Sequence, residues 1–244
     1  MALNKIFNNP TVKKVIFQIQ FPNLFYLESK IPEFQMEIMH EFQDSDLIIK
    51  QPITIVNNID VKYDNENLFT QKIWQFKSRK GYKLEISNNS LSIDSDVHKT
   101  YDNPKSDTRF RDAIELCLSK FKKVTNLQYV NRIGLRYIDE CPIFEKTTES
   151  YLSSFNSAIN FDKLKIEDID ELHVKVNKKF DGYNVIYQEV VGKDSDVVIL
   201  DFDGYATNVK YDECLNITDS LHKTIICEYE NTIKQPIIDF MERE

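Results

Sequence analysis

The chain has 244 residues, 41% of them hydrophobic and 29% charged. That is a globular composition, long enough for one large domain or two small ones. With 31 basic and 39 acidic side chains the formal charge is −8, which sets long-range electrostatics against nucleic acid and anionic membranes.

Residues 12–21 form the first expected strand, with Val15, Phe17, Ile19 and Phe21 on one face and Pro22 ending it. Helical spacing follows over 24–42, where Leu27, Ile31, Phe34, Ile38 and Phe42 fall on one stripe and Pro32 marks either a start or a kink. Asp44-Ser45-Asp46 breaks that pattern. A strand is expected over 47–56 with a turn at Asn57-Asn58, and another over 68–77 around Trp74, the only tryptophan. After an Arg79-Lys80-Gly81 turn, strands at 82–87 and 91–94 should pair across Asn88-Asn89, residues that tolerate positive φ.

The clearest helix follows. Ser106 or Asp107 can cap it, and Phe110, Ala113, Ile114, Cys117, Leu118, Phe121 and Val124 keep a helical rhythm. Residues 129–138 read as the central strand. Strict alternation puts Tyr129, Asn131, Ile133, Leu135 and Tyr137 on one face, with Val130, Arg132, Gly134, Arg136 and Ile138 on the other. A shorter helix is expected over 148–159, with Leu152, Phe155 and Ile159 as its stripe. Hairpins are expected through Asp181-Gly182 and through Asp203-Gly204. A last helix runs from about Thr218, with a kink at Pro236.

Both halves thus read strand, helix, several strands, long helix. The expected fold is α+β: antiparallel sheet with helices on one face, built from a duplicated strand-helix-strands-helix unit. The halves, 1–126 and 127–244, lack a Pro/Gly/Ser-rich linker between them and should pack as one unit.

The central run Arg132-Ile133-Gly134-Leu135-Arg136-Tyr137-Ile138, with the 15–21 strand and the Trp74-Gln75-Phe76 strand, resembles a sporadically distributed bacterial family of no established function. The likeness spans most of the first two thirds of the chain. In that family a small polar residue, commonly Asn, follows the final Tyr-Ile; here it is Asp139. The resemblance implies no reaction. Its patchy distribution implies genes of mobile or defence-associated loci.

Familiar chemistries are absent. There is no G-x-x-x-x-G-K-[ST], G-x-G-x-x-G, G-x-S-x-G or H-E-x-x-H motif, and His40, His98, His173 and His222 lie far apart in the chain. The four cysteines, Cys117, Cys141, Cys214 and Cys227, form no C-x-x-C pair, which suits reduced thiols rather than a zinc site or disulfide framework. Asp194, Asp196, Asp201 and Asp203 cluster, but turn chemistry and solvation account for them without a cation. Lys72, Lys77, Arg79, Lys80 and Lys83, interleaved with Trp74, Phe76 and Tyr82, read as a solvated hairpin rather than a nucleic-acid platform.

Arg132 and Arg136 are the sharpest feature. They are either an oxyanion clamp with room above Gly134, or cross-strand ion pairs. No catalytic residue, metal site or cofactor is expected. With no signal-like or membrane-length apolar segment, the chain is expected to be cytoplasmic.

The expected function is a non-catalytic interaction module that binds a partner protein through open sheet edges, in a bacterial antiviral-defence or toxin-control system. A homo-oligomer stays open as well; nucleic acid and membrane are not expected partners. The alternative is a sensor of a small anionic ligand or nucleotide that uses Arg132 and Arg136. A third reading is an enzyme whose site is assembled from residues distant in sequence.

Overall fold

Alternation along the first strand sets up the whole architecture. In β1 (Val12–Gln20), Val15, Phe17 and Ile19 are fully buried, while Lys14, Ile16 and Gln18 between them are only partly covered. One side of the strand therefore faces a core and the other does not. The computed structural model describes residues 6–50, 71–159, 161, 164–193 and 195–243.

After β1 come β2 (Phe42–Lys50), β3 (Gln71–Ser78), β4 (Tyr82–Ser87) and β5 (Ser90–Ser95); after the midpoint come β6 (Tyr129–Pro142), β7 (Glu171–Lys179), β8 (Asn184–Gly192) and β9 (Val197–Lys210). Among the described residues they form one antiparallel nine-stranded sheet, ordered β2-β3-β4-β5-β1-β6-β9-β8-β7. β1 and β6 join the halves, with Phe17 opposite Leu135 and Ile19 opposite Ile133. In each half the later strands wind back to lie beside the first, and the N-terminal half carries one more edge strand.

Among the described residues five α-helices complete the α+β fold: α1 (Leu27–Ile38), α2 (Phe110–Thr125), α3 (Thr148–Ser154), α4 (Cys214–Thr232) and α5 (Gln235–Glu242). Phe34 of α1 packs edge-on against Phe76 of β3 and Phe121 of α2. In the other half Tyr229 of α4 meets Phe202 of β9. All seven apolar positions expected on α2 are buried. The opposite sheet face is polar and carries Lys14, Arg132 and Arg136 with their carboxylate partners. None of the described helices is long and apolar enough to cross a membrane.

Several local expectations change. Residues 197–210 form one continuous strand, not a hairpin at Asp203-Gly204. Gly204 is where α4 comes closest: a Cβ there would lie 3.1 Å from Ile225 and 3.2 Å from Leu221. The glycine serves helix packing rather than a turn. β8 ends at Gly192 and β9 begins at Val197, so the chain reverses before β9 rather than within it. Asp181-Gly182 does turn the chain, with Gly182 at φ +84°.

Asn88 and Asn89 turn without positive φ. Their carbonyls accept hydrogen bonds from the backbone N–H of Leu24 and Phe21. Phe42, expected on the first helix, opens β2, and Asp44-Ser45-Asp46 lies within that strand. Pro32 sits inside α1 rather than at its start. On α3 Tyr151 and Ser154 are buried, and Leu152 is exposed. The last helix is two, because α4 stops at Thr232 and Pro236 sits in the first turn of α5 rather than kinking a longer one. No side chain caps α2. On β6, Val130 is buried and Asn131 exposed, the reverse of strict alternation, beside Asn208 at φ +56°. The Asn57-Asn58 turn lies outside the described residues.

Candidate functional site

The two features singled out on the sequence meet each other. Arg136 and Asp201 sit diagonally on the open face of β6 and β9. Nε of Arg136 donates to Oδ1 of Asp201 at 2.8 Å and Nη2 donates to Oδ2 at 2.6 Å. Gln188 of β8 donates to the same carboxylate at 2.8 Å. Arg132 donates through Nη2 to both oxygens of Asp203, at 3.1 and 2.9 Å, and lies over the Tyr205 ring at 4.8 Å.

The space above Gly134 is occupied by Arg132 itself: a Cβ on Gly134 would come within 2.7 Å of its guanidinium. Both guanidiniums are thus engaged with protein carboxylates. No group of three or more potential metal ligands occurs among the described residues. Asp194 lies outside those residues, and Asp196 pairs with Lys146.

Four of the five side chains of the basic stretch are likewise engaged. Lys72 pairs with Glu28, Lys77 with Asp46, Lys80 with Glu41, and Lys83 with Glu85 and Asp94. Phe76 and Tyr82 are core residues, so they offer no stacking surface. All four cysteines are free, three of them buried.

A concave site lies elsewhere among the described residues, on the helix side of the sheet at the seam between the halves. A cavity of about 460 Å³ opens there. The segment before β1 supplies Phe7, Pro10 and Thr11. The loop after β5 supplies His98 to Asp102, and β6 supplies Tyr137 and Asp139. Helix α4 contributes Asp219, His222, Ile226 and Tyr229, and α5 contributes Met241.

Its floor is an ordered polar network. Asp219 accepts from the Tyr101 hydroxyl at 2.7 Å and from Arg111 through Nε at 2.9 Å and Nη2 at 3.0 Å. The Tyr101 ring stacks on His222 at 4.0 Å. Nδ1 of His222 lies 3.1 Å from the Tyr137 hydroxyl. The His98 ring packs edge-on against Tyr137 and Phe110. Burial pushes His98 down to about 4 and His222 to about 3. Both rings are therefore neutral near pH 7, because charging them would forfeit hydration that the surroundings do not replace.

Asp139 occupies a core-facing position of β6, in phase with Ile133, Leu135, Tyr137 and Cys141. It is 5% exposed. The Thr11 hydroxyl donates to its Oδ1 at 2.8 Å. Thr11 has spent its only proton there, so the Tyr229 hydroxyl, 2.6 Å away, donates to Thr11. Among the described residues Oδ2 has no hydrogen-bond partner and no basic group pairs with the carboxylate. Burial raises its pKa to about 7, and the Thr11 bond offsets only part of that.

Another buried carboxylate, Glu189 at 1% exposure, is held quite differently. The hydroxyls of Tyr151, Tyr187 and Ser157 all donate to it. Glu189 is a satisfied structural group; Asp139 is not.

Sequence reasoning missed this assembly. Thr11, His98, Tyr101, Asp139, His222 and Tyr229 are spread along nearly the whole chain and only the β1–β6 seam gathers them. One signal was present: an acid at a core-phase position of the central strand. No family model and no curated protein sequence matches the chain.

Proposed function

We propose that the chain binds a small molecule in the seam cavity, as a ligand-binding or sensing module rather than a catalyst. The observation that carries this reading is the convergence on one cavity of Asp139, which lacks a second donor, with neutral His98 and His222. Sites of this kind combine apolar walls with a few oriented polar groups and perturbed titrating residues. The open-face arginines are less suited to a free anion, because each already holds an aspartate.

A thermal-shift panel of small cations, neutral heterocycles, nucleotides and carboxylates tests the reading. Wild type should gain several degrees with at least one class, since a ligand at a hundredfold its Kd adds about 2.7 kcal/mol to stability. Ile226→Trp, which fills the cavity, should gain none. A flat panel, or equal shifts in both proteins, contradicts the proposal.

A partner protein is the second reading, and the defence or toxin-control setting implied by the family resemblance belongs to it. What supports it is the apolar surface of the N-terminal half. Phe25 is 93% exposed, Met36 of α1 and Met39 just after it are exposed, and Leu47 and Ile49 are exposed on β2, an edge strand among the described residues. A partner strand could add to that edge. A pull-down of the tagged protein should recover a stoichiometric partner that Leu47→Lys/Ile49→Lys releases; recovery of the protein alone contradicts it.

A further inference from the structure

We propose that Asp139 anchors the ammonium group of a small, mainly apolar amine bound in the seam cavity. This rests on the cavity being the binding site and names the chemistry that it selects.

A buried carboxylate normally has several donors or a cation, because desolvating it uncompensated is costly. Asp139 has one donor, the Thr11 hydroxyl. The titratable groups that face it are Tyr229 from α4, Tyr137 and Cys141 from its own strand, and Asp201 from β9. None is cationic. The one arginine lining the cavity, Arg111, is committed to Asp219 and Glu115.

Lys99 and Lys223 also line the cavity but are exposed and form no ion pair with Asp139. Asp139 therefore has no cationic partner of its own, and a ligand can supply one. Tyr137, Tyr229 and Phe7 also line the cavity. Aromatic faces attract cations and repel anions. An anionic group placed against Asp139 would meet like charge, since Lys99 and Lys223 do not pair with that carboxylate.

Binding should be linked to a proton. Burial holds part of the Asp139 population protonated near neutral pH. An arriving ammonium favours the carboxylate, so the carboxyl proton leaves to solvent as the ion pair forms. Affinity for the amine should therefore rise from pH 5 to pH 8 and level off once Asp139 is fully ionised. His98 and His222 stay neutral through that window.

The test compares three probes of one shape: phenethylamine, 2-phenylethanol and phenylacetate. Binding is followed by calorimetry and amide chemical shifts on the full chain. The expected result is amine binding at least tenfold tighter than the alcohol at pH 8, a preference that shrinks at pH 5 and vanishes in Asp139→Asn. Alcohol or phenylacetate bound at the cavity as tightly as the amine overturns the proposal and leaves the cavity as a binding site. An amine preference that survives in Asp139→Asn also overturns it, because another anion is then the anchor. Absence of binding by all three at millimolar concentration removes the cavity reading as well. Should Asp139→Asn fail to fold, the wild-type preference between pH 5 and pH 8 decides, and a pH-independent preference overturns the proposal.

Discussion

Asp139 and His98 make opposite demands on pH. The folded pKa of Asp139 is about 7, above its ordinary value. Its contribution to stability is complete in acid and is lost as pH rises through 7. Asp139→Asn removes that loss, so the stability of the variant relative to wild type should climb between pH 4 and pH 8. At about 1.4 kcal/mol per pH unit the ceiling is about 4 kcal/mol. The folded pKa of His98 is depressed to about 4. Its contribution is present above pH 6.5 and is lost as pH falls towards 4, so His98→Phe should flatten the acid limb of the stability curve. Urea midpoints across pH check both. Arg136→Ala should cost about 2 kcal/mol by leaving Asp201, buried on the open face, with Gln188 alone. An unchanged midpoint would mean that the pair contributes nothing to the fold.

At the scale of elements, one dipeptide plays two parts. Asp181-Gly182 makes a hairpin because Gly182 adopts φ +84° in open space; Asp203-Gly204 lies mid-strand with α4 pressed upon it. Gly182→Asn should cost under about 1 kcal/mol, since asparagine tolerates left-handed backbone. Gly204→Asn should cost about 2 kcal/mol or more by forcing Leu221 and Ile225 away. Equal costs would contradict these assignments. The pair also shows what was legible beforehand. Periodicity located β1, α2 and the core face of β6, because each is governed by its own repeating apolar pattern. It misplaced the break in β9, because Asp-Gly reads as a turn until the helix that packs on it is known. The candidate site was illegible for a related reason. Asp139 and His98 are conspicuous only once α4 and the segment before β1 close over them.

At the scale of the whole molecule, one sheet runs through both halves and the cavity lies where they join. Trp74, the only tryptophan, reports on the N-terminal half. Its fluorescence and the far-ultraviolet circular dichroism should trace one coincident urea transition, as expected of a single cooperative unit; separate midpoints would mean that the halves unfold independently. We propose that their shared winding reflects an internal duplication, with β6 and α4 as the counterparts of β1 and α2. Such a join brings side chains from both copies to one place, and Thr11 of the first half holding Asp139 of the second is an instance. The most direct measurement is an amide chemical-shift map of the protein titrated with phenethylamine at pH 8. The account predicts shifts concentrated at 9–12, 98–102, 137–141 and 219–230. Shifts centred instead on Arg132, Arg136 and their aspartates, or none at saturating probe, would contradict it.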